Sequence, residues 1–167
     1  QIPSHIDAIQ AAAGAPIAWI LVTHTHPDHS PAARQLAKET GAQLLGQSAP
    51  GGRHQDQTFK PDRILEDGDS LHTDEFLLTA LHTPGHASNH LCYLHGEQRL
   101  LFTGDHVING STVVIDPPDG SMADYLDSLD TLSAACGSDA IRFILPAHGH
   151  VMGAAADTIA RLKAHRL

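Results

Sequence analysis

Four side chains that can bind metal ions lie within the six-residue segment HTHPDH at positions 24–29. The segment follows an apolar run rich in β-branched residues, which predicts a short buried strand. Alternate residues of a strand point to one face, so His24 and His26 leave the strand end on the same side. Pro27 then turns the chain toward a predicted helix. This turn directs Asp28 and His29 toward a position next to the one that His24 and His26 face. The spacing therefore predicts ligands for two metal ions.

Three further candidate ligands come after predicted strands, and each lies beside a glycine. His86 ends the turn TPGH between two strands. Asp105 follows the predicted strand 99–103, and His148 follows the predicted strand 141–145. Strand ends lie at the rim of a sheet, where glycine lets the backbone approach a neighbour closely. Imidazole and carboxylate donors without thiolate suit zinc, and also iron or manganese.

In this order along the chain, the seven residues resemble the ligand signature of the metallo-β-lactamase superfamily, and the resemblance covers residues 17–150. The resemblance implies the α+β fold class, as a four-layer αββα sandwich with the metals at one edge. The ligands that it implies for the first metal are His24, His26 and His86. For the second metal they are Asp28, His29 and His148, and Asp105 bridges the two metals.

Zinc, as two ions, is the cofactor that the resemblance favours, with iron or manganese as alternatives. Some relatives that use two irons carry a glutamate at the position of His26, where this chain has histidine. Two metals roughly 3.5–4 Å apart hold a bridging water and lower its pKa toward neutrality. The zinc-bridged hydroxide that results attacks an ester, a thioester or a phosphodiester. We expect Asp28 to orient the water as well as to bind metal.

The leaving group of such a reaction also needs a proton donor. His90 begins the strand that follows His86, and His106 comes directly after Asp105, so both histidines are candidates. Each of the two also fits a histidine that only supports a metal ligand or lies at the surface. We therefore predict Asp28, His90 and His106 as catalytic residues.

Two segments indicate which branches of the family this chain resembles. Segment 83–90, TPGHASNH, is similar to thioesterases and lactamase-like endoribonucleases, and segment 107–129 resembles the lactamase-like-protein-2 relatives. A metal-dependent hydrolase is the function that we expect. The alternatives are a single-stranded RNA endonuclease, a glyoxalase II-like thioesterase and a non-catalytic metal-binding module. Antibiotic hydrolysis is less expected, because the best-known zinc β-lactamases often carry cysteine at the position of Asp105.

Charge and composition limit the partners. The chain has a formal net charge of −9 and only 10 Lys and Arg residues, whereas proteins that bind phosphates broadly show a basic face. No apolar run approaches the ~20 residues of a membrane span, and no signal peptide is visible. We expect a cytoplasmic protein with a small-molecule or nucleic-acid substrate and no membrane partner, and the oligomeric state stays open.

The length of 167 residues predicts a single domain over residues 1–167. The predicted helices cover 5–13, 31–40, 121–137 and 154–166. The predicted strands cover 17–23, 42–45, 63–65, 75–82, 90–95, 99–103 and 141–145, and the predicted loops cover 46–62 and 107–120. The middle strands indicate a meander, and Cys92 is predicted to be a buried strand thiol. Because the family normally has strands before the HTHPDH segment, we expect a fragment of a longer protein that lacks the N-terminal strands.

Overall fold

The structure is a computed structural model of the chain that describes residues 3–52, 54–137 and 140–167. Its contacts divide the chain into two compact units, Gln1–Leu65 and Glu66–Leu167. The single domain over the whole chain stays a prediction. Arg53, in the predicted loop 46–62, lies outside the described residues.

The first unit combines two helices with a small parallel sheet. Its elements are α1 (Pro3–Ala13), β1 (Trp19–Leu21), α2 (Pro31–Thr40), β2 (Gln43–Gly46) and β3 (Arg63–Ile64). The strands lie in the order β1-β2-β3, and both pairings are parallel. Val22, Ala33, Leu44 and Phe59 form the apolar core of this unit. The HTHPDH segment therefore begins three residues after the last residue of β1, at the carboxyl end of a parallel strand.

Helix α2 has the predicted bounds, for local reasons. Pro31 lies in its first turn, where the missing N–H costs nothing and the fixed φ suits a helix. The helix ends at Gly41, whose φ of 78° is a left-handed conformation that glycine adopts without strain. Strand β1 is shorter than the predicted strand 17–23, since its ladder to β2 pairs only three residues.

The second unit contains five strands and two helices. They are β4 (Ser70–His72), β5 (Leu77–His82), β6 (Leu91–His95), β7 (Leu100–Gly104), α3 (Met122–Cys136), β8 (Phe143–Pro146) and α4 (Ala155–Arg166). The strands form one sheet in the order β4-β5-β6-β7-β8. The first three pairings are antiparallel, which confirms the predicted meander, and β7 pairs parallel with β8. Strand β4 was not predicted, because three residues with one buried side chain give no readable period.

The directions of these strands explain where the second set of candidate ligands lies. Strands β5, β7 and β8 run the same way, because β5 and β7 are each antiparallel to β6 and β8 is parallel to β7. Their carboxyl ends therefore meet at one edge of the sheet. The turns after these ends carry His86, Asp105 and His148.

Helices α3 and α4 bury the apolar residues of the second unit. Ser121 caps α3 by accepting a hydrogen bond from the Asp124 N–H, as the sequence predicts. The fully buried core comprises Cys92, Leu101, Tyr125, Leu129, Leu132, Ile144 and Ile159. Cys92 is thus the buried strand thiol that its apolar surroundings predict.

Among the described residues, no helix has the length and apolarity that crossing a bilayer requires. The longest helix, α3, has 15 residues and contains three aspartates. The cytoplasmic location and the absence of a membrane partner stay predictions.

We predict that Leu101→Ala strongly destabilises the second unit, because Leu101 lies on the interior strand β7 and is fully buried. The expected loss in the free energy of unfolding is roughly 2–5 kcal/mol, measured by urea denaturation. Leu77→Ala is the matched control, since Leu77 lies on the same sheet but is 40% exposed. Equal losses for the two variants would contradict the core described above.

Candidate metal centre

The first cluster of candidate ligands consists of His24, His26, Asp28 and His29, all in the first unit. The Nε2 atom of His24 lies 3.1 Å from Nδ1 of His26. The His24 and His29 ring centroids are 4.0 Å apart, and His29 Nε2 lies 3.5 Å from Asp28 Oδ2. The structure therefore brings together the four side chains of the HTHPDH segment, as their spacing predicts.

A tight turn of the backbone produces this arrangement. The amide groups of His29 and Ser30 both donate to the carbonyl of His26, at 3.0 and 3.3 Å. Helix α2 follows at once. His24, at the strand end, is buried, whereas the Asp28 side chain is 62% exposed. Asp28 is thus the member of the cluster most open to solvent.

A second loop braces the first cluster from outside the motif. The Thr25 hydroxyl donates to Gln55 Oε1 at 2.5 Å, and the Asp56 amide donates to the Thr25 carbonyl at 2.6 Å. The Ser30 hydroxyl donates to Asp56 Oδ2 at 2.8 Å. Thr25 and Ser30 are buried, so these bonds satisfy polar groups that water does not reach. Sequence reasoning did not identify Gln55 and Asp56, because the loop 46–62 has no period or motif that marks them.

The same contacts act on the ionisation of Asp56. Burial alone would raise its pKa, but hydrogen bonds from Thr58 and Ser30 outweigh burial and lower the pKa below the ordinary value of 3.8. The ionised carboxylate is therefore the form that the folded loop favours.

The second cluster consists of His86, Asp105 and His148, all in the second unit. Asp105 Oδ2 lies 3.6 Å from Nε2 of His86, and Asp105 Oδ1 lies 3.4 Å from Nε2 of His148. Each oxygen of one carboxylate thus faces a different imidazole. The side chains of His86 and Asp105 are about one-tenth exposed, whereas that of His148 is 51% exposed. A carboxylate held in this way can bind two cations, one through each oxygen.

The hydrogen bond at the far side of His86 determines which of its nitrogens can bind metal. His86 Nδ1 lies 2.7 Å from the carbonyl oxygen of Val114. A carbonyl only accepts, so Nδ1 carries a hydrogen, and in the neutral imidazole Nε2 presents its lone pair toward Asp105. A lone pair opposite a carboxylate oxygen is repulsive, and a cation bound by both atoms removes the repulsion. The donor set therefore fits a divalent metal.

The turn that carries His86 is held by the segment before α3. Gly85 has φ of 137°, and a Cβ there would lie 2.4 Å from the Cα of Tyr125, so only glycine fits. The Ser121 amide donates to the Gly85 carbonyl at 2.8 Å, and the Ser88 hydroxyl donates to Asp119 Oδ1 at 2.5 Å. Asp119 belongs to the predicted loop 107–120, in which no single supporting residue was predicted.

Asn109 braces the turn that carries His148. The Asn109 amide donates to the His148 carbonyl at 3.1 Å, and its Oδ1 accepts from the His150 amide at 3.3 Å. A Cβ on Gly149 would lie 2.6 Å from the Cβ of Asn109. The close packing of the two loops thus requires glycine beside the candidate ligand.

The two candidate proton donors are fully buried. His90 Nδ1 lies 2.9 Å from the Thr83 hydroxyl oxygen, and His90 Nε2 accepts from the Asp105 amide at 3.2 Å. The His106 ring lies 4.4 Å from that of Tyr125, and burial lowers the pKa of His106 to about 3. Both side chains lie in a dry environment, and His90 supports the second cluster through the Asp105 amide. Their roles as proton donors stay predictions, as does the catalytic role of Asp28.

Comparison with known proteins places these clusters in a family context. Residues 4–148 match the metallo-beta-lactamase superfamily. Hydroxyacylglutathione hydrolase GloC of Haemophilus influenzae is 30% identical over 145 residues, which are 78% of this chain and 68% of that protein. The acyl-coenzyme A thioesterase MBLAC2 of Gallus gallus is 33% identical over 96 residues, which are 57% of this chain and 34% of that protein. The chain thus spans about two thirds of the first relative and one third of the second.

Solved structures support the fold. The crystal structure of TTHA1623 in a di-iron-bound form has a TM-score of 0.75 and 24% identity, and it covers 97% of this chain and 84% of that chain. A likeness at this identity shows the fold alone. Together with the family match, it confirms the predicted α+β class and the metallo-β-lactamase fold.

We predict that Asp56→Ala destabilises the protein in a pH-dependent way. The pKa of Asp56 is lowered in the folded state, so its stabilisation is present above about pH 3.8 and is lost as the pH falls through the lower folded value. In urea denaturation at pH 7 with chelator present, the free energy of unfolding of the variant should be about 1 kcal/mol lower than that of the unaltered protein. This difference should shrink in acid. Asp7→Asn on α1 is the exposed control. A gap that is constant between pH 7 and pH 3 would contradict this account.

Proposed function

Because this chain belongs to the metallo-β-lactamase superfamily, we propose that it is a dinuclear metal-dependent hydrolase that cleaves thioesters. The observation that carries the proposal is the Asp105 carboxylate, whose two oxygens each face the Nε2 atom of a different histidine. A carboxylate that offers one oxygen to each of two metals would hold them close enough to activate a water molecule.

We assign the ligands as the family resemblance implies. The family match spans both clusters, and all seven residues occur in the family's order. The proposed ligands of the first metal are His24, His26 and His86. Those of the second are Asp28, His29 and His148, with Asp105 bridging.

The metals supply one kind of chemistry when bound: they lower the pKa of a water molecule and stabilise the negative charge that develops on the substrate. The chain supplies the rest. The Val114 carbonyl keeps the proton of His86 on Nδ1, which leaves Nε2 as the ligand atom. Asp28, the carboxylate of the first cluster, is 62% exposed and is therefore accessible to hold and orient the attacking water.

A thioester is the substrate class that the relatives favour. Hydroxyacylglutathione and acyl-coenzyme A, which the names of two relatives give as substrates, are both thioesters. The charge of the chain supports the same choice over RNA. A net charge of −9 opposes the phosphate backbone of a nucleic acid more strongly than it opposes a small acyl thioester.

Zinc is the metal that we propose. The ligand set contains imidazole and carboxylate and no thiolate, which suits zinc and also permits iron. TTHA1623, a structural neighbour, is a di-iron-bound protein, so the choice of metal needs its own measurement.

We predict that Asp105→Ala lowers kcat/KM for acyl thioesters by more than about 100-fold, because it removes the bridging carboxylate. The assay follows release of the free thiol from S-acylglutathione and acyl-coenzyme A, with single-stranded RNA as a third substrate. Asp74→Ala, at an exposed position, is the matched control. Full turnover by Asp105→Ala would refute the mechanism. RNA cleavage without thioester cleavage would favour a nuclease, and fully metallated protein without turnover would favour a metal-binding module.

We predict about two zinc ions per chain after growth in medium that contains both zinc and iron. His26→Ala should reduce the metal content to about one ion, since it removes a ligand of the first metal only. His72→Ala, an exposed histidine on β4, should leave the content unchanged. Mass spectrometry of the metals in the purified protein measures the outcome, and a majority of iron in the unaltered protein would overturn the zinc assignment.

A further inference from the structure

A chain of buried polar groups lies behind Asp105, and its first link is the backbone of Asp105 itself. The Asp105 amide donates to Nε2 of His90 at 3.2 Å. A backbone amide can only donate a hydrogen bond. The Nε2 atom of His90 must therefore present a lone pair, so it carries no hydrogen.

The second link follows from the first. An imidazole that lacks a hydrogen on Nε2 is neutral and carries its one hydrogen on Nδ1. The Nδ1 atom of His90 lies 2.9 Å from the hydroxyl oxygen of Thr83, so the N–H group donates to that oxygen. Both side chains are fully buried, and no water competes for these bonds. The Asp105 amide, which cannot accept a hydrogen bond, thereby selects one tautomer of His90.

The third link is the hydrogen bond from the Thr83 hydroxyl to Cys92. The Thr83 oxygen accepts from His90, so its own hydrogen is available for Cys92 Sγ at 3.3 Å. The Cys92 thiol donates in turn to the carbonyl oxygen of Thr103 at 3.7 Å. Burial raises the pKa of Cys92 to about 12, so the thiol keeps the hydrogen that it donates.

The chain of bonds closes on the turn where it begins. The Thr103 carbonyl also accepts from the His106 amide at 2.9 Å, which makes Thr103 to His106 a tight turn with Asp105 inside it. The Thr103 hydroxyl donates to the Val107 carbonyl at 2.7 Å. These buried groups therefore hold the turn on both sides of Asp105. We call the closed set of hydrogen bonds through Asp105, His90, Thr83, Cys92 and Thr103 the circuit, and in each of its bonds the donor and the acceptor are fixed.

We infer that His90 is a positioning residue that holds Asp105 through its neutral Nδ1–H tautomer, which the Asp105 amide selects and to which the Thr83 hydroxyl, itself bonded to Cys92, offers an acceptor. His90 is then not the proton donor to the leaving group. Donation from Nε2 would need a hydrogen where the Asp105 amide already points its own, and two donors would face each other in a buried site. The value of this role for catalysis rests on the proposed function, in which Asp105 bridges two metals.

The tautomer can be measured without any turnover. Two-bond ¹H–¹⁵N correlation spectra of the histidine rings distinguish a hydrogen on Nδ1 from one on Nε2 and from an imidazolium. We expect His90, assigned by its absence from His90→Gln, to carry its hydrogen on Nδ1 near neutral pH in both metal-loaded and metal-depleted protein. A hydrogen on Nε2, or an imidazolium, would overturn the inference.

A pair of variants separates positioning from proton donation. In His90→Gln, the side-chain carbonyl can accept from the Asp105 amide, whereas in His90→Leu nothing can. We expect His90→Gln to keep metal affinity and kcat within about tenfold of the unaltered protein. His90→Leu should lose metal affinity by about 10–100-fold, and excess metal should restore part of its activity. If His90 were the proton donor, both variants would lose kcat equally with their metals retained.

A second pair of variants tests the Thr83 hydroxyl, the group that contacts Nδ1 of His90. Thr83→Ser keeps the hydroxyl that accepts from His90, and Thr83→Val removes it. Only Thr83→Val should leave the buried Nδ1–H group of His90 without this acceptor and weaken metal binding, and equal metal affinities of the two variants would count against the inference. This pair and the spectra of the unaltered protein decide the question even if His90→Leu does not fold.

The outcomes also separate this inference from the proposed function. A metal-free or inactive protein with His90 in the Nδ1–H form would refute the function and leave the positioning intact. A dinuclear, active enzyme in which His90→Gln and His90→Leu fail equally in kcat would leave the function intact and refute the positioning.

Discussion

Atoms that bind metal repel one another when they are gathered without a metal, and this repulsion is the constraint on which the rest of the structure depends. When the imidazole of His86 is neutral and its lone pair faces the Asp105 carboxylate, neither atom has a hydrogen to share, and the pair gains nothing from this contact. The polypeptide must hold each ligand by bonds that lie behind it. Both units of this protein are built in this way.

The supporting bonds come mainly from backbone groups, which have a single role as donor or acceptor. The Val114 carbonyl directs the proton of His86, and the Asp105 amide directs that of His90. Side chains complete the support where the backbone does not reach, as Asp56 does for the loop that contains Thr25 and Ser30. Since an unpaired buried group costs more than a paired one gains, such networks specify one arrangement strongly.

The support of the second cluster reaches into the apolar core. Cys92 belongs both to the buried core of the second unit and to the hydrogen-bonded circuit behind Asp105. The same applies to Tyr125, which packs in the core while its hydroxyl donates to the His106 carbonyl at 2.8 Å. Packing and ligand geometry therefore share residues, and a change in this part of the core is also a change in the site.

The sequence alone determined the ligand types, their order and the elements that precede them. Short-range chemistry decides these features: proline and glycine set the bounds of α2, Ser121 caps α3, and the HTHPDH spacing puts four candidate ligands into one turn. Only the tertiary structure decided which groups stand behind the ligands. Asp56, Asn109, Val114 and Asp119 lie 26 to 41 positions from the residues that they hold, and carry no local signal. The proton positions on His86 and His90 were beyond the sequence for the same reason, since a tautomer depends on which donor or acceptor the folded chain brings to each ring nitrogen.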